Sequence, residues 1–328
     1  MAVSVNHPLG AINAALNTAM AQDEKVILLG EDVADREGGG VIGMTRGLSS
    51  TFGDDRVKST PIAEQSIIGA AIGAAIGGYK PVAEIMLMNF TTVAMDMIVN
   101  HAAKLRFMSG GQTGVNITIP MLTGAGNSTA GQHADHYEAW FAHTAGLKVV
   151  APCYASDYHG LMLSCIQDPD PCLFIINGMT LRNADEFEQE QGPIPLGKAK
   201  IRQEGSDVTI VTYSAMVTQS EAAVKTLAEE GVSVELIDLR TVAPWDRETV
   251  LASARKTGRV VIVHEALRQH GIGAEIAATI QEELWGALKA PVRRLGAPYS
   301  PVPFSKPLEN AFIVQPDAIA EAVRSTLK

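Results

Sequence analysis

Residues 60–80 read TPIAEQSIIGAAIGAAIGGYK. Thr60-Pro61-Ile62-Ala63 has the extended, proline-marked character of a segment about to enter a helix, and Glu64 opens an apolar run interrupted by Gly69, Gly73, Gly77 and Gly78. Glycines four residues apart share one face of a helix and leave nothing to hold a neighbouring backbone away. A single carboxylate is therefore held at the entrance of a helix built for close contact. The run from 67 to 78 is shorter than the ~20 residues a bilayer requires and is bracketed by Glu64 and Lys80, so a subunit or interdomain contact is the expectation, not a membrane span.

Outward from this helix, β-branched and apolar runs of strand length recur near 26–29, 82–86, 115–119, 148–151 and 173–176, and again near 208–213, 234–238, 260–264 and 292–295. Helical patterns fill the intervals at 9–20, 64–77, 92–108, 155–166, 218–229, 247–256, 274–288 and 317–326. Alternation of this kind predicts an α/β protein whose parallel sheets are covered on both faces. At 328 residues the chain suggests two domains, at roughly 100 to 200 residues each. The acidic stretch NADEFEQEQGPIP at 183–195 lacks apolar periodicity and ends in Gly-Pro-Ile-Pro, which places the boundary near residue 190, with domains at 1–190 and 191–328.

Composition excludes several classes. A formal charge of −10 and a pI near 5.3 oppose nucleic-acid binding, which needs a basic face. Hydrophobic residues at 46% and a mean hydropathy of +0.10 describe an ordinary globular chain with no membrane role. Three cysteines, Cys153, Cys165 and Cys172, never spaced as CxxC, indicate neither a disulfide framework nor a zinc site and suit a reducing cytoplasm. The first twenty residues have no basic stretch ahead of an apolar run and do not read as a signal peptide.

Residues 124–143, GAGNSTAGQHADHYEAWFAH, begin as a small, polar, glycine-rich loop and deliver His133, Asp135, His136 and His143. A histidine at such a loop suits proton transfer near neutral pH, although it is also common at an ordinary helix start. His133 and His136 are three apart, but a zinc site wants three or four ligands and no HExxH is present. His270-Gly271-Ile272-Gly273 lacks the third glycine of a dinucleotide loop and reads as a close strand-to-helix turn. Phe90, at the end of the strand near 82–86, stands where ligands gather in parallel sheets; it serves either to stack on a flat heterocycle or to pack the core.

In order along the chain, Gly30-Glu31-Asp32-Val33, Thr60-Pro61-Ile62-Ala63-Glu64 with its glycines, Asn100-His101-Ala102-Ala103-Lys104, Met108-Ser109-Gly110-Gly111, Gln132-His133, Gly146-Leu147-Lys148-Val149-Val150-Ala151-Pro152, Gly271-Ile272-Gly273-Ala274-Glu275, and Pro303-Phe304 through Leu308-Glu309 resemble the beta subunits of thiamine-diphosphate-dependent 2-oxo acid dehydrogenases of the pyruvate, branched-chain and acetoin types. Each motif is weak alone, and their order and spacing are specific. The resemblance implies a pyrimidine-binding-type domain followed by a transketolase C-terminal-like domain. It also implies that Glu64 bonds the ring nitrogen of the cofactor's aminopyrimidine, which readies the thiazolium carbon to lose its proton.

By the same resemblance, Phe90 lies beside that pyrimidine, Glu31 supports the entrance, and His133 protonates a sulfur as the acyl fragment passes to a lipoyl group. A potassium ion would be held largely by backbone carbonyls at Ile117, Cys165, Ile166, Asp168 and Asp170. The GDG…Asn-Asn segment that holds the magnesium diphosphate is missing, which the resemblance assigns to a separate alpha subunit within a heterotetramer of two alpha and two beta chains. A lipoyl acyltransferase would be a further partner and a 2-oxo acid the substrate. Two features depart from the pattern. The usual His-Ser-Gln reads His133-Ala134-Asp135, and Gly39-Gly40-Val41-Ile42-Gly43 before Thr45-Arg46-Gly47 is closer to acetoin-type subunits. Acetoin cleavage, or acyl or ketol transfer without lipoate, are therefore the alternatives to oxidative decarboxylation.

Overall fold

The structure, a computed structural model, describes residues 6–188 and 191–328. The chain divides into two compact units, 1–123 with 140–196, and 124–139 with 197–328. Residue 190, where the sequence places the domain boundary, lies outside the described residues.

The first unit contains helices α1 (Pro8–Gln22), α2 (Leu48–Phe52), α3 (Glu64–Ile76) and α4 (Leu105–Met108) and strands β1 (Val26–Gly30), β2 (Val57–Ser59), β3 (Lys80–Ala83), β4 (Ile85–Leu87) and β5 (Thr118–Thr123). After α5 (Glu138–Ala142) come β6 (Lys148–Val150), α6 (Ala155–Gln167) and β7 (Cys172–Asn177). Its strands run in the order β6-β7-β5-β3-β1-β2, with β4 paired to β5, and every pairing is parallel. β1 and β7 are buried at every position, the run of apolar residues expected of a parallel sheet covered on both faces. Ile12, Leu16 and Met20 of α1 pack with Tyr158, Leu161 and Met162 of α6 in one core cluster.

The second unit has β8 (Lys200–Gln203), β9 (Val208–Thr212), α7 (Met216–Glu229), β10 (Val234–Asp238), β11 (Thr241–Ala243), α8 (Arg247–Thr257), β12 (Val260–Leu267), α9 (Ile272–Leu284), β13 (Arg293–Ala297), α10 (Lys306–Phe312) and α11 (Pro316–Leu327). Its five-stranded sheet has the order β13-β12-β9-β10-β8, parallel except for the antiparallel edge strand β8. His264 of β12 explains the glycines after it. A Cβ at Gly271 or Gly273 would lie 2.6 or 2.8 Å from its ring, so the expected strand-to-helix turn is a glycine turn because an imidazole lies against it.

Two expectations need correction. The helix read at 92–108 is instead a 3-10 turn (Met88–Thr92), a π-helical turn (Met97–Ala102) and the short α4, with Ala103 N–H bonded to Ile98 O. Wide turns of this kind interrupt the regular ladder. The strand read at 82–86 is two strands broken at Glu84. Among the described residues no helix is long and apolar enough to cross a membrane.

Gly30 ends β1 against Glu84: a Cβ there would lie 2.8 Å from Val33 Cγ1 and 3.0 Å from Glu84 Cβ. Overpacking of this sort costs about 1–3 kcal/mol. Gly30→Ala is therefore expected to lower the melting temperature by several degrees, and an unchanged melting curve would show that the strand end yields freely.

Candidate active-site carboxylates and histidine loop

In the first unit the chain leaves β1 at Gly30 and enters Glu31-Asp32, with Asp32 in the left-handed region at φ 55°. The following loop is tied back by Gly40 N–H to Asp32 O at 2.7 Å and by the buried Thr45 hydroxyl to Val33 O at 2.7 Å. Thr60 N–H donates to Gly30 O at 2.8 Å, which brings the 60–63 segment to the end of β1 and sets Glu64 as the first residue of α3. Glu64 is buried at 8% exposure. Glu84, at the break between β3 and β4, is 6% exposed, and its Oε2 has no hydrogen-bond partner among the described residues. Gly40 crosses beside that oxygen, with room for no more than a tight Cβ at 3.3 Å.

These carboxylates share one field. Burial, then the charges of Glu31 and Asp32, push the Glu84 carboxyl up to about 8. Burial, then Glu64 and Asp32, raise Glu31. Desolvation and like charge both favour the neutral acid, so Glu84 keeps its proton at neutral pH. Sequence reading missed Glu84, although a glutamate inside the apolar run Pro81-Val82-Ala83-Glu84-Ile85-Met86-Leu87 is the signal that would have found it. Phe90 is half-buried in the 3-10 turn after β4, a turn fixed by the Thr91 hydroxyl on Met88 O at 2.6 Å and the Thr92 hydroxyl on Asn89 O at 2.8 Å. Glu31, Glu64 and Phe90 thus belong to one unit.

His133 belongs to the second unit. It is exposed in a turn of the 124–139 loop, its N–H bonded to Ala130 O at 3.1 Å. Ser128 and Ala130 adopt left-handed φ of 53° and 64°, conformations that persist only when their surroundings hold them. Glu309 of α10, fully buried, accepts the N–H groups of Gly126 at 2.6 Å and Ser128 at 2.9 Å. Asp135, which replaces a residue of the usual motif, accepts the Tyr137 hydroxyl at 3.2 Å.

Ile117, Cys165, Ile166, Asp168 and Asp170 come together where α6 passes into β7. Ile117 O accepts Cys172 N–H at 2.9 Å, and Cys165 O accepts Asp168 N–H at 3.3 Å. Lys148 pairs with Asp168, and Arg106 with Asp170. Both carboxylates are neutralised by protein cations, so side-chain ligation of a further cation does not fit, and only carbonyl lone pairs remain for potassium. Among the described residues no group of three or more His, Cys, Asp or Glu side chains is placed to hold a metal ion.

Glu84 carries a pH test. Its folded value, about 8, exceeds the unfolded 4.5, so between these the folded chain binds more protons and stability falls as pH rises. Glu84→Gln is expected to stabilise the purified chain at pH 7 by on the order of 3 kcal/mol, with the gain disappearing near pH 4 in urea melts. A gain independent of pH would contradict this.

The pyrimidine-binding domain of transketolase matches residues 9–183, and the transketolase C-terminal domain matches residues 197–319. The beta subunit of acetoin:2,6-dichlorophenolindophenol oxidoreductase from Cupriavidus necator is 41% identical over 326 residues, 97% of this chain and 96% of that one. A pyruvate dehydrogenase E1 component subunit beta-1 of Arabidopsis thaliana is 43% identical, covering 95% of this chain and 86% of that one. The corresponding subunit of Staphylococcus epidermidis is 41% identical over 97% of both. A solved structure of a split-gene transketolase, an inactive beta4 tetramer, superposes with a TM-score of 0.79 over 98% of both chains at 22% identity, a likeness of fold alone. Matched by both domains and by relatives along nearly its whole length, the chain belongs to the beta subunits of the thiamine-diphosphate-dependent 2-oxo acid dehydrogenase family.

Proposed function

We propose that the chain is the beta subunit that activates thiamine diphosphate for oxidative decarboxylation of a 2-oxo acid, pyruvate or a branched-chain relative, with the acyl group delivered to a lipoyl carrier. The observation that carries this reading is buried Glu64 at the start of α3, set beside half-buried Glu31, with buried Glu84 and its Oε2 left without a hydrogen-bond partner among the described residues. A site where buried Glu84 keeps its proton limits the negative charge around Glu64 and fits a nitrogen heterocycle. When bound, the cofactor supplies the carbon nucleophile and the electron sink. Glu64 would hold a proton for the pyrimidine ring nitrogen, Glu31 and Glu84 would keep the surroundings short of negative charge, and Phe90 would pack beside the ring. His133 supplies the proton taken by the acceptor sulfur.

The magnesium diphosphate falls to an alpha subunit, so the active form is a heterotetramer, placed in the cytoplasm and docked on a lipoyl acyltransferase. Exposed Gly73 on α3 and Gly77 at its C-terminal cap suit a subunit contact in that assembly, while Gly69 is half-buried beside Met97. Potassium, held by carbonyls alone at Ile117 and Cys165, would have a structural part.

Acetoin cleavage is the second reading. It is favoured by the Cupriavidus necator relative and by the Gly39–Gly40 loop, where a Cβ at Gly39 would lie 2.5 Å from the Arg46 backbone. With purified alpha chain, thiamine diphosphate and magnesium, pyruvate, branched-chain 2-oxo acids and acetoin are each offered with a dye acceptor. Turnover of a 2-oxo acid at least tenfold above acetoin supports the first reading, and the reverse order the second. Glu64→Gln is expected to lower dye-linked turnover of the preferred donor by a hundredfold or more with an unchanged melting temperature. Turnover equal to the parent would overturn the role of Glu64.

A further inference from the structure

The 124–139 loop is held at its far end by a second buried charge cluster. His136, its side chain 6% exposed, sits with Nδ1 3.5 Å from Glu138 Oε2 and Nε2 3.1 Å from Glu265 Oε1. The same Glu265 oxygen accepts the N–H of Ala125 at 2.8 Å, so one carboxylate meets the loop at its start by a hydrogen bond and near its end by the charge of the His136 ring, whose Nε2 approaches without an aligned hydrogen bond. Tyr213, just beyond β9, donates its hydroxyl to Glu138 at 2.7 Å. Sequence reading took His136 only as a weak metal ligand, and nothing in the proposed chemistry uses it.

We propose that His136 is a positioning residue for His133: its ring, seated between Glu138 and Glu265, closes the loop so that His133 is presented in one pose. The proposal rests on the reading of His133 as the acyl-transfer histidine. Four titratable groups face His136: Glu138 on its own loop, Glu265 and His264 on β12, and Tyr213. Two glutamates at 1% and 3% exposure repel one another unless a cation lies between them. One imidazolium supplies it, while the Ala125 amide and the Tyr213 hydroxyl share what negative charge remains. Burial opposes the charged ring, but Glu265 and Glu138 outweigh it and hold its affinity for the proton well above the ordinary histidine value. His264, stacked on Tyr213 at 6.4 Å, is shifted the other way by burial. A ring whose folded pKa is raised stabilises the loop fully below about 6.5 and loses that contribution as pH rises through the folded value. The left-handed Ser128 and Ala130, already strained, are the backbone that relaxes when the tie is cut.

The test uses the reconstituted complex with its alpha chain. Amide exchange of peptides covering 124–136, corrected for the intrinsic pH effect, is measured from pH 6 to 10 beside two rates, dye-linked decarboxylation and acyl transfer to lipoamide. In the parent, loop exchange stays flat through neutrality and steps up in alkali. In His136→Gln it rises tenfold or more at pH 7 and the step disappears, acyl transfer falls tenfold or more, and decarboxylation stays within twofold. Should His136→Gln fail to assemble, His136→Gln with Glu265→Gln removes one buried charge with the ring and is expected to lose the same pH step. Unchanged exchange at 124–136, a persistent pH step, or an equal loss in both rates would overturn the proposal. A His133→Gln complex is measured alongside. If it transfers acyl groups as fast as the parent, the role of His133 falls, while the exchange step still decides whether His136 holds the loop.

Discussion

Carboxylates that cannot all be ionised are the constraint around which the first unit is arranged. Among the described residues Glu84 has no cation paired with it and no donor for its Oε2, and the charges of Glu31 and Asp32 reach it. An isolated buried anion is far costlier than a neutral acid, so the cheapest solution is to keep the proton. The surrounding backbone serves that end. Gly30 and Gly40 approach where a side chain would not fit, the strand breaks at Glu84 instead of running through it, and Thr60 docks on the end of β1 to bring Glu64 into the same field. A buried acid that keeps its proton beside the end of a parallel sheet is suited to a nitrogen heterocycle, and the chain belongs to a thiamine-diphosphate-dependent family.

The second unit meets the same problem with the opposite solution. Glu138 and Glu265 are as deeply buried as Glu84, yet there a histidine ring lies between them, and Tyr213 and Ala125 add donors. Burial raises the Glu138 carboxyl, but His136 and its hydrogen bonds draw it down to about 2. One unit thus stores protons on acids and the other spends a base to keep acids charged. The difference follows from the surroundings: Glu84 meets further carboxylates in the first unit, while in the second a histidine ring lies between the acids beside a loop of left-handed backbone.

Much of this was legible in the residues. Strand and helix alternation located the long elements, since α7, α9 and α11 carry apolar faces, α3 and α6 are long runs without breakers other than glycine, and β1, β9 and β10 are short apolar runs with glycine or polar ends. Glu64 at the first turn of α3 followed from the Thr-Pro entry and the glycines. The strands β2, β8 and β11 were missed because three or four residues carry no period. The π-helical turn at Met97–Ala102 was read as ordinary helix because both wind past similar residues. Glu84 sits in an apolar run too short for its period to tell an inward carboxylate from an outward one. The tie from His136 to Glu265 joins positions far apart in the chain, and no local spacing announces it.

The central claim is that Glu84 keeps its proton at neutral pH. Infrared difference spectroscopy of chain carrying 13C-labelled glutamate, compared with Glu84→Gln, isolates the carbonyl band of that one protonated acid as pH is raised. The account predicts a band present at pH 7 that disappears around pH 8. A band already lost by pH 5, as for a carboxyl in water, would contradict it.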